Sequence, residues 1–168
     1  MESNIVKPDA SESLEIAKLI KDGWNSAYKG IISDEYLANM NIEVISESWR
    51  QAIDANRSNI YVYKENNQIL GVVRFGKAEK SNTNNMGEVF VLYVKPEEKR
   101  KGIGSQLLKF AQDKLVENKY EKMIIWCLKG NVQGSNFYRK YGGEKIDERD
   151  FIVRGTKVRE EGFVFKLK

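Results

Sequence analysis

Histidine is absent from the 168 residues, and cysteine occurs once, as Cys127. Without histidine there is no Ser-His-Asp or Cys-His catalytic set and no zincin site, and most zinc ligation is excluded. No metal is expected, and proton transfer falls to Glu, Asp, Tyr, Lys or water. A single cysteine forms no internal disulfide and suits a reducing cytoplasm. No apolar run approaches the roughly 20 residues that span a bilayer, and the N-terminus carries no apolar signal segment. The expectation is a cytoplasmic protein with no membrane association.

A large excess of one charge sign is missing as well. Lys and Arg number 28 against 24 Asp and Glu, a formal charge of +4, and the two signs are interleaved along most of the chain. Nucleic-acid binding is not favoured by that pattern. What is present describes an ordinary globular protein, 31% charged and 41% hydrophobic. A chain of this length fits one domain, residues 1–168, able to bury roughly two-thirds of its unfolded surface.

Taken in order, Asn4 to Lys7 is a short strand ended by Pro8, and Asp9 with Glu12 forms a capping box. Leu14, Ala17, Leu19, Ile20 and Trp24 give the first helix its apolar face. Trp24, Tyr28 and Tyr36 flank a turn at Lys29-Gly30, either lining an acceptor pocket or packing two helices together. Ser33-Asp34-Glu35 starts a short helix, and Ile42 to Ile53 is a further amphipathic one. Asn59 to Lys64 and Gln68 to Phe75 are strands joined through Glu65-Asn66-Asn67, a hairpin signal because asparagine tolerates positive φ. A polar loop runs from Lys77 to Gly87, including Ser81-Asn82-Thr83-Asn84-Asn85.

The central stretch follows. Glu88 to Val94 is rich in β-branched and aromatic residues and reads as a buried strand. From Ile103 the apolar period changes to that of a helix, through Leu107, Leu108, Ala111 and Leu115. Between them lie Lys99, Arg100, Lys101, Gly102, Ile103, Gly104 and Ser105, at the helix start. There the first N–H groups lack intrahelical partners and the helix dipole adds positive potential. With two glycines for close approach and three successive cations, the turn suits a pyrophosphate; the same residues also suit a plain tight turn with a solvated basic face. No G-x-x-x-x-G-K-[ST] is present, and the third glycine of a dinucleotide loop is missing.

Lys122 to Leu128 is a second near-continuous apolar strand, as a covered parallel sheet requires, and a right-handed crossover would set it parallel to the central strand. Asn131 to Tyr141 is a short helix closed by Gly142-Gly143. Two final strands are Glu144 to Val153 and Val158 to Leu167. The expected fold is α/β: one mixed sheet of about six to seven strands with helices on both faces.

The run Leu92-Tyr93-Val94-x-Pro96-x-x-Lys99-Arg100-Lys101-Gly102-Ile103-Gly104-Ser105-x-Leu107-Leu108, followed by a helix, a buried strand and then Asn131-x5-Phe137-Tyr138-x-Lys140-x-Gly142, resembles the Gcn5-related N-acetyltransferases (GNAT). That family's turn reads Arg/Gln-x-x-Gly-x-Gly/Ala and binds the pyrophosphate of acetyl-coenzyme A. Lys99 stands at the Arg/Gln position, a departure that bears on cofactor binding. The resemblance implies that the backbone of Leu92, Tyr93 and Val94 pairs with the pantetheine arm, and that Lys99 through Ser105 cradle the pyrophosphate. It implies too that Asn131 holds the arm and that Tyr138 stands beside the thioester sulfur.

The implied reaction is direct transfer of acetyl to an amine acceptor, a small molecule, polyamine or peptide amine. An amine near pKa 10.4 needs a base or water chain to lose its proton, and the departing thiolate gains from a proton donor. Tyr138 matches the donor. For the base the residues leave Glu88, which burial would activate, or a water relay. Cys127, mid-strand in an apolar run, reads as a small core residue rather than an acyl carrier. The alternative is a catalytically weak coenzyme A-binding sensor or interaction module of the same fold. Asp34, Glu35, Glu43 and Glu47 would favour a cationic acceptor if they face it, or are solvated helix faces. Family members often dimerise, so a homodimer is implied as well.

Overall fold

A computed structural model describes residues 4–79, 85–153 and 155–168. Its elements are β1 (Ile5–Val6), α1 (Ser13–Ala27), α2 (Asp34–Ala38), α3 (Ile42–Ala55), β2 (Asn59–Glu65), β3 (Gln68–Lys77), β4 (Met86–Val94), α4 (Ile103–Glu117), β5 (Lys122–Leu128), α5 (Val132–Lys140), β6 (Glu144–Val153) and β7 (Thr156–Lys166). Hydrogen bonds order the strands β1-β2-β3-β4-β5-β7-β6. The sheet is mixed: β4 and β5 run parallel, while β1–β2, β2–β3, β5–β7 and β6–β7 are antiparallel. This is the α/β mixed-sheet architecture expected from the sequence. The helix at Ile103 and the strand at Lys122–Leu128 stand where the periodicity put them. Most of the polar loop before β4, residues 80–84, lies outside the described residues.

The chain divides into two compact units, one of Met1–Phe75 with Val91–Ala111, the other of Gly76–Phe90 with Gln112–Lys168. In the first, Asp9 accepts from the Ser11 N–H while Glu12 accepts from the Asp9 N–H, the expected capping box, closing a 3-10 turn that leads into α1. Ser33 caps α2 and Asn41 caps α3 through their side-chain oxygens. Ile16, Leu19 and Ile20 of α1, Trp49 of α3, Ile60 and Val62 of β2, and Ile69 and Val72 of β3 form one buried core. Each such side chain contributes roughly 1.5–3 kcal/mol on leaving water. The β2–β3 turn sets Asn66 at φ 50 and Asn67 at φ 61, the paired positive values that a two-residue hairpin of this hand requires.

In the second unit, Gly87 of β4 faces α4: a Cβ there would lie 2.7 Å from a Leu115 methyl. Cys127 of β5 lies against Ser135 of α5, 3.9 Å between Sγ and Oγ. Residues of β4 and β5 in register with these, Val89, Met123 and Ile125, are buried. The alternate set, Glu88, Ile124 and Trp126, therefore points to the opposite face. Phe163 and Phe165 of β7 complete the buried side. β6 is the edge strand, and a register shift between Lys145 and Asp147 marks a bulge at Ile146.

Candidate active site

In the first unit the chain leaves β4 at Val94, makes a 3-10 turn at Pro96–Glu98 and enters α4 at Ile103. Arg100 (φ 66) and Gly102 (φ 85) both take the left-handed conformation just before the helix start. Gly102 C=O accepts from the Gln106 N–H at 3.1 Å and from Ser105 Oγ at 2.9 Å, so it closes the first helical turn. By helix geometry the amides that follow it have no acceptor within α4, and they point out of its positive end. A Cβ on Gly102 would come no nearer than 3.8 Å to any atom; the glycine is required by its φ, not by crowding.

The three cations of this turn are in different circumstances. Lys101 is exposed and ion-paired with Glu98 at 2.7 Å, which raises its pKa. Lys99 is half-buried and donates to Ser26 Oγ on α1 at 3.3 Å; burial lowers its pKa below the ordinary lysine value. Arg100 is exposed.

Leu92, Tyr93 and Val94 end β4 half-buried. Tyr93 packs its ring on Gly23 of α1, where an added Cβ would lie 2.8 Å away, and its hydroxyl shares a 2.6 Å hydrogen bond with Tyr28. Tyr28 in turn sits edge-on to Trp24 at 5.1 Å, and Trp24 lies 6.4 Å from Tyr36. This phenol pair joins two residues that the sequence flags for separate reasons, and at 65 positions apart nothing along the chain signals the pairing. The carboxylates considered for a cationic acceptor, Asp34, Glu35, Glu43 and Glu47, are all exposed. Glu47 is bonded to Arg50 and Gln51 on its own helix.

In the second unit Asn131 is the N-cap of α5, its Oδ1 accepting from the Gly134 N–H at 3.0 Å. That bond turns the amide's carbonyl toward the helix and leaves its NH2 to bond elsewhere. Tyr138, two turns on, is half-buried, with its ring against Phe137 (5.5 Å) and Phe163 (5.7 Å). Glu88 is 8% exposed and accepts from the Glu79 N–H at 3.3 Å. Burial raises its pKa, the direction a base working near neutrality needs. Cys127 is buried, and desolvation pushes its thiol up to about 11, so it is not a ready nucleophile. Among the described residues no group of His, Cys, Asp or Glu could hold a metal ion, and no helix is long and apolar enough to cross a membrane. Of the sequence-flagged site residues, the turn and the end of β4 therefore lie in one unit, and Glu88, Asn131 and Tyr138 in the other.

Comparison with known proteins bears on this arrangement. The model of the acetyltransferase (GNAT) family matches residues 22–143. The uncharacterized N-acetyltransferase YuaI of Bacillus subtilis is 26% identical over 149 residues, covering 88% of this chain and 84% of the relative. A spermidine N(1)-acetyltransferase of Thermoplasma acidophilum is 29% identical over 150 residues, covering 84% of this chain and 90% of the relative. Among solved structures, the PaiA N-acetyltransferase of Thermoplasma acidophilum in complex with coenzyme A superposes with a TM-score of 0.75 at 22% identity, over 96% of this chain and 98% of that one. The family match takes in the β4–turn–α4 run, β5 and α5, and the chain belongs to the acetyltransferase (GNAT) family of enzymes.

Proposed function

We propose that this enzyme transfers the acetyl group of acetyl-coenzyme A directly to an amine in a ternary complex. The observation that carries the reading is the cationic turn entering α4 through Gly102 at φ 85, in a chain of this family. Acetyl-coenzyme A supplies a thioester whose C–S bond breaks as a C–N bond forms to the amine. The residues present fit such a molecule: the α4 amides and Arg100 suit its phosphates, and the Asn131 NH2 suits a carbonyl of its arm. The backbone of Leu92, Tyr93 and Val94 would add the arm as an extended strand.

Glu88 takes the proton lost by the amine, directly or through water, and Tyr138 returns one to the departing sulfur. The match from 22 to 143 draws on both compact units, which supports one domain working as a whole. The single thiol, buried and unpaired, favours a cytoplasmic setting. A polyamine is the first acceptor to test, because a relative at 29% identity is a spermidine acetyltransferase.

The test is release of free thiol from acetyl-coenzyme A across a panel of amines and peptides, with calorimetry of cofactor binding. Tyr138→Phe is expected to depress kcat with little change in cofactor affinity; full activity would remove the acid role. Gly104→Glu should abolish cofactor binding, and tight binding in that variant would overturn the cradle. A chain that binds acetyl-coenzyme A yet acetylates no amine would instead be a coenzyme A-binding module.

A further inference from the structure

The face of the second unit that carries Glu88 also carries a charge pair mounted on an indole. Glu88 lies opposite Ile124, Trp126 opposite Gly162, and Arg149 opposite Glu160. Residues directly opposite, and residues two apart along one strand, share a face, so all six project to the same side. Arg149 starts on the edge strand β6, yet its guanidinium carbon lies 4.0 Å from the ring centroid of Trp126, two strands away on β5.

Gly162 opens that route. A Cβ on it would lie 3.0 Å from Trp126 Cζ3 and 3.1 Å from Cη2, so the indole is laid over β7 where no side chain stands. Arg149 Nε donates to Glu160 Oε2 at 2.6 Å, with the two side chains 26% and 12% exposed. Stacking and a charge-assisted bond together hold the guanidinium in place, and partial burial leaves its field poorly screened.

We propose that Arg149 is a positioning residue for catalysis, carried across β7 on Trp126 and clamped by Glu160 so that its charge is presented to Glu88. The proposal rests on the reading of Glu88 as the base. The charged groups acting on Glu88 are Arg149, which favours its ionised form, and the Glu79 and Glu160 carboxylates, which oppose it; the Glu79 N–H also favours the ion, and burial, the largest influence, opposes it. A buried base left protonated at neutral pH would be idle, and Arg149 counters that.

The experiment follows the Glu88 carboxyl carbon by NMR in protein labelled with [5-13C]glutamate, the resonance being assigned through Glu88→Gln. Arg149→Met is expected to move its titration midpoint to higher pH. Arg149→Lys, which keeps the charge, restores much of the wild-type midpoint. Glu160→Gln still accepts from Nε but lacks the negative charge, and moves the midpoint to lower pH. An unchanged or lowered midpoint in folded Arg149→Met overturns the proposal. If that variant fails to fold, Arg149→Gln decides: an upward shift supports it, and none or a downward shift overturns it. Turnover by Glu88→Gln is read separately. Wild-type turnover there removes the base reading, whatever the NMR midpoints show of Arg149.

Discussion

Replacing Gly134 by alanine sets two effects of opposite sign against each other. Inside a helix alanine is favoured over glycine by about 0.8–1.0 kcal/mol. Against that gain, the new Cβ, in the first turn of α5, would lie 2.7 Å from Asn131 Nδ2 and 3.0 Å from Cys127 Sγ. Cys127 is 5% exposed and has nowhere to retreat, so the half-buried Asn131 side chain must yield. Its Oδ1 then leaves the Gly134 N–H, a lost cap that costs about 0.5–2 kcal/mol. Overpacking adds typically about 1–3 kcal/mol. Net of the propensity gain, Gly134→Ala should destabilise by about 0.5–4 kcal/mol, lowering the melting temperature by roughly 2–4 °C per kcal/mol in a chain of this size.

Urea denaturation in a double-mutant cycle isolates the cause. In an Asn131→Ala background the 2.7 Å contact and the cap are already gone, so Gly134→Ala should cost less there by about 1 kcal/mol or more. If the Asn131 amide holds the cofactor arm, Gly134→Ala also raises KM for acetyl-coenzyme A. Stabilisation of the wild type by the full helix preference, or equal costs in both backgrounds, would refute the placement of Asn131.

Three further outcomes follow from the same geometry. A carboxyl whose folded pKa is raised binds its proton more tightly in the folded state, so its stability contribution is present in acid and lost as pH rises through that value. Glu88→Gln should therefore be more stable than wild type at neutral pH, with the advantage vanishing near pH 4, by chemical denaturation at the two pH values. Cys127, with its thiol pushed up to about 11, should resist a thiol reagent at pH 8 in the folded protein, and Cys127→Ala should keep its acetyltransferase activity; rapid modification or loss of turnover would reopen a covalent route. Tyr28→Phe removes one side of the 2.6 Å phenol pair and should cost about 0.5–1.5 kcal/mol, read as a fall in urea midpoint at constant slope.

Local chemistry in this chain was legible wherever a few neighbouring residues decide it. The Asn66-Asn67 hairpin, the Asp9–Glu12 capping box and the strand Lys122–Leu128 each follow from side-chain preferences over a handful of positions. The glycine turn at Gly102 follows likewise, since only its φ of 85 demands the residue. The first strand is shorter than its pattern, Ile5–Val6 rather than Asn4 to Lys7, because only Ile5 and Val6 stand in register with β2, opposite Tyr63 and Val62. Pairing between distant segments was not legible. The insertion of β7 between β5 and β6 depends on which long-range partner wins, and the two final strands read alike along the chain. Arg149 over Trp126 is hidden for the same reason: the contact crosses a strand and needs Gly162 to be bare. The hydrogen bond from Lys99 to Ser26 of α1, 73 positions away, is hidden in the same way.

The claim on which the rest depends is that main-chain amides at the start of α4 receive a diphosphate. A crystal structure of the protein with acetyl-coenzyme A tests it most directly. Both phosphates are expected against the N–H groups of Ile103 to Ser105, with Arg100 beside them. Phosphates bound anywhere else on the chain would contradict it.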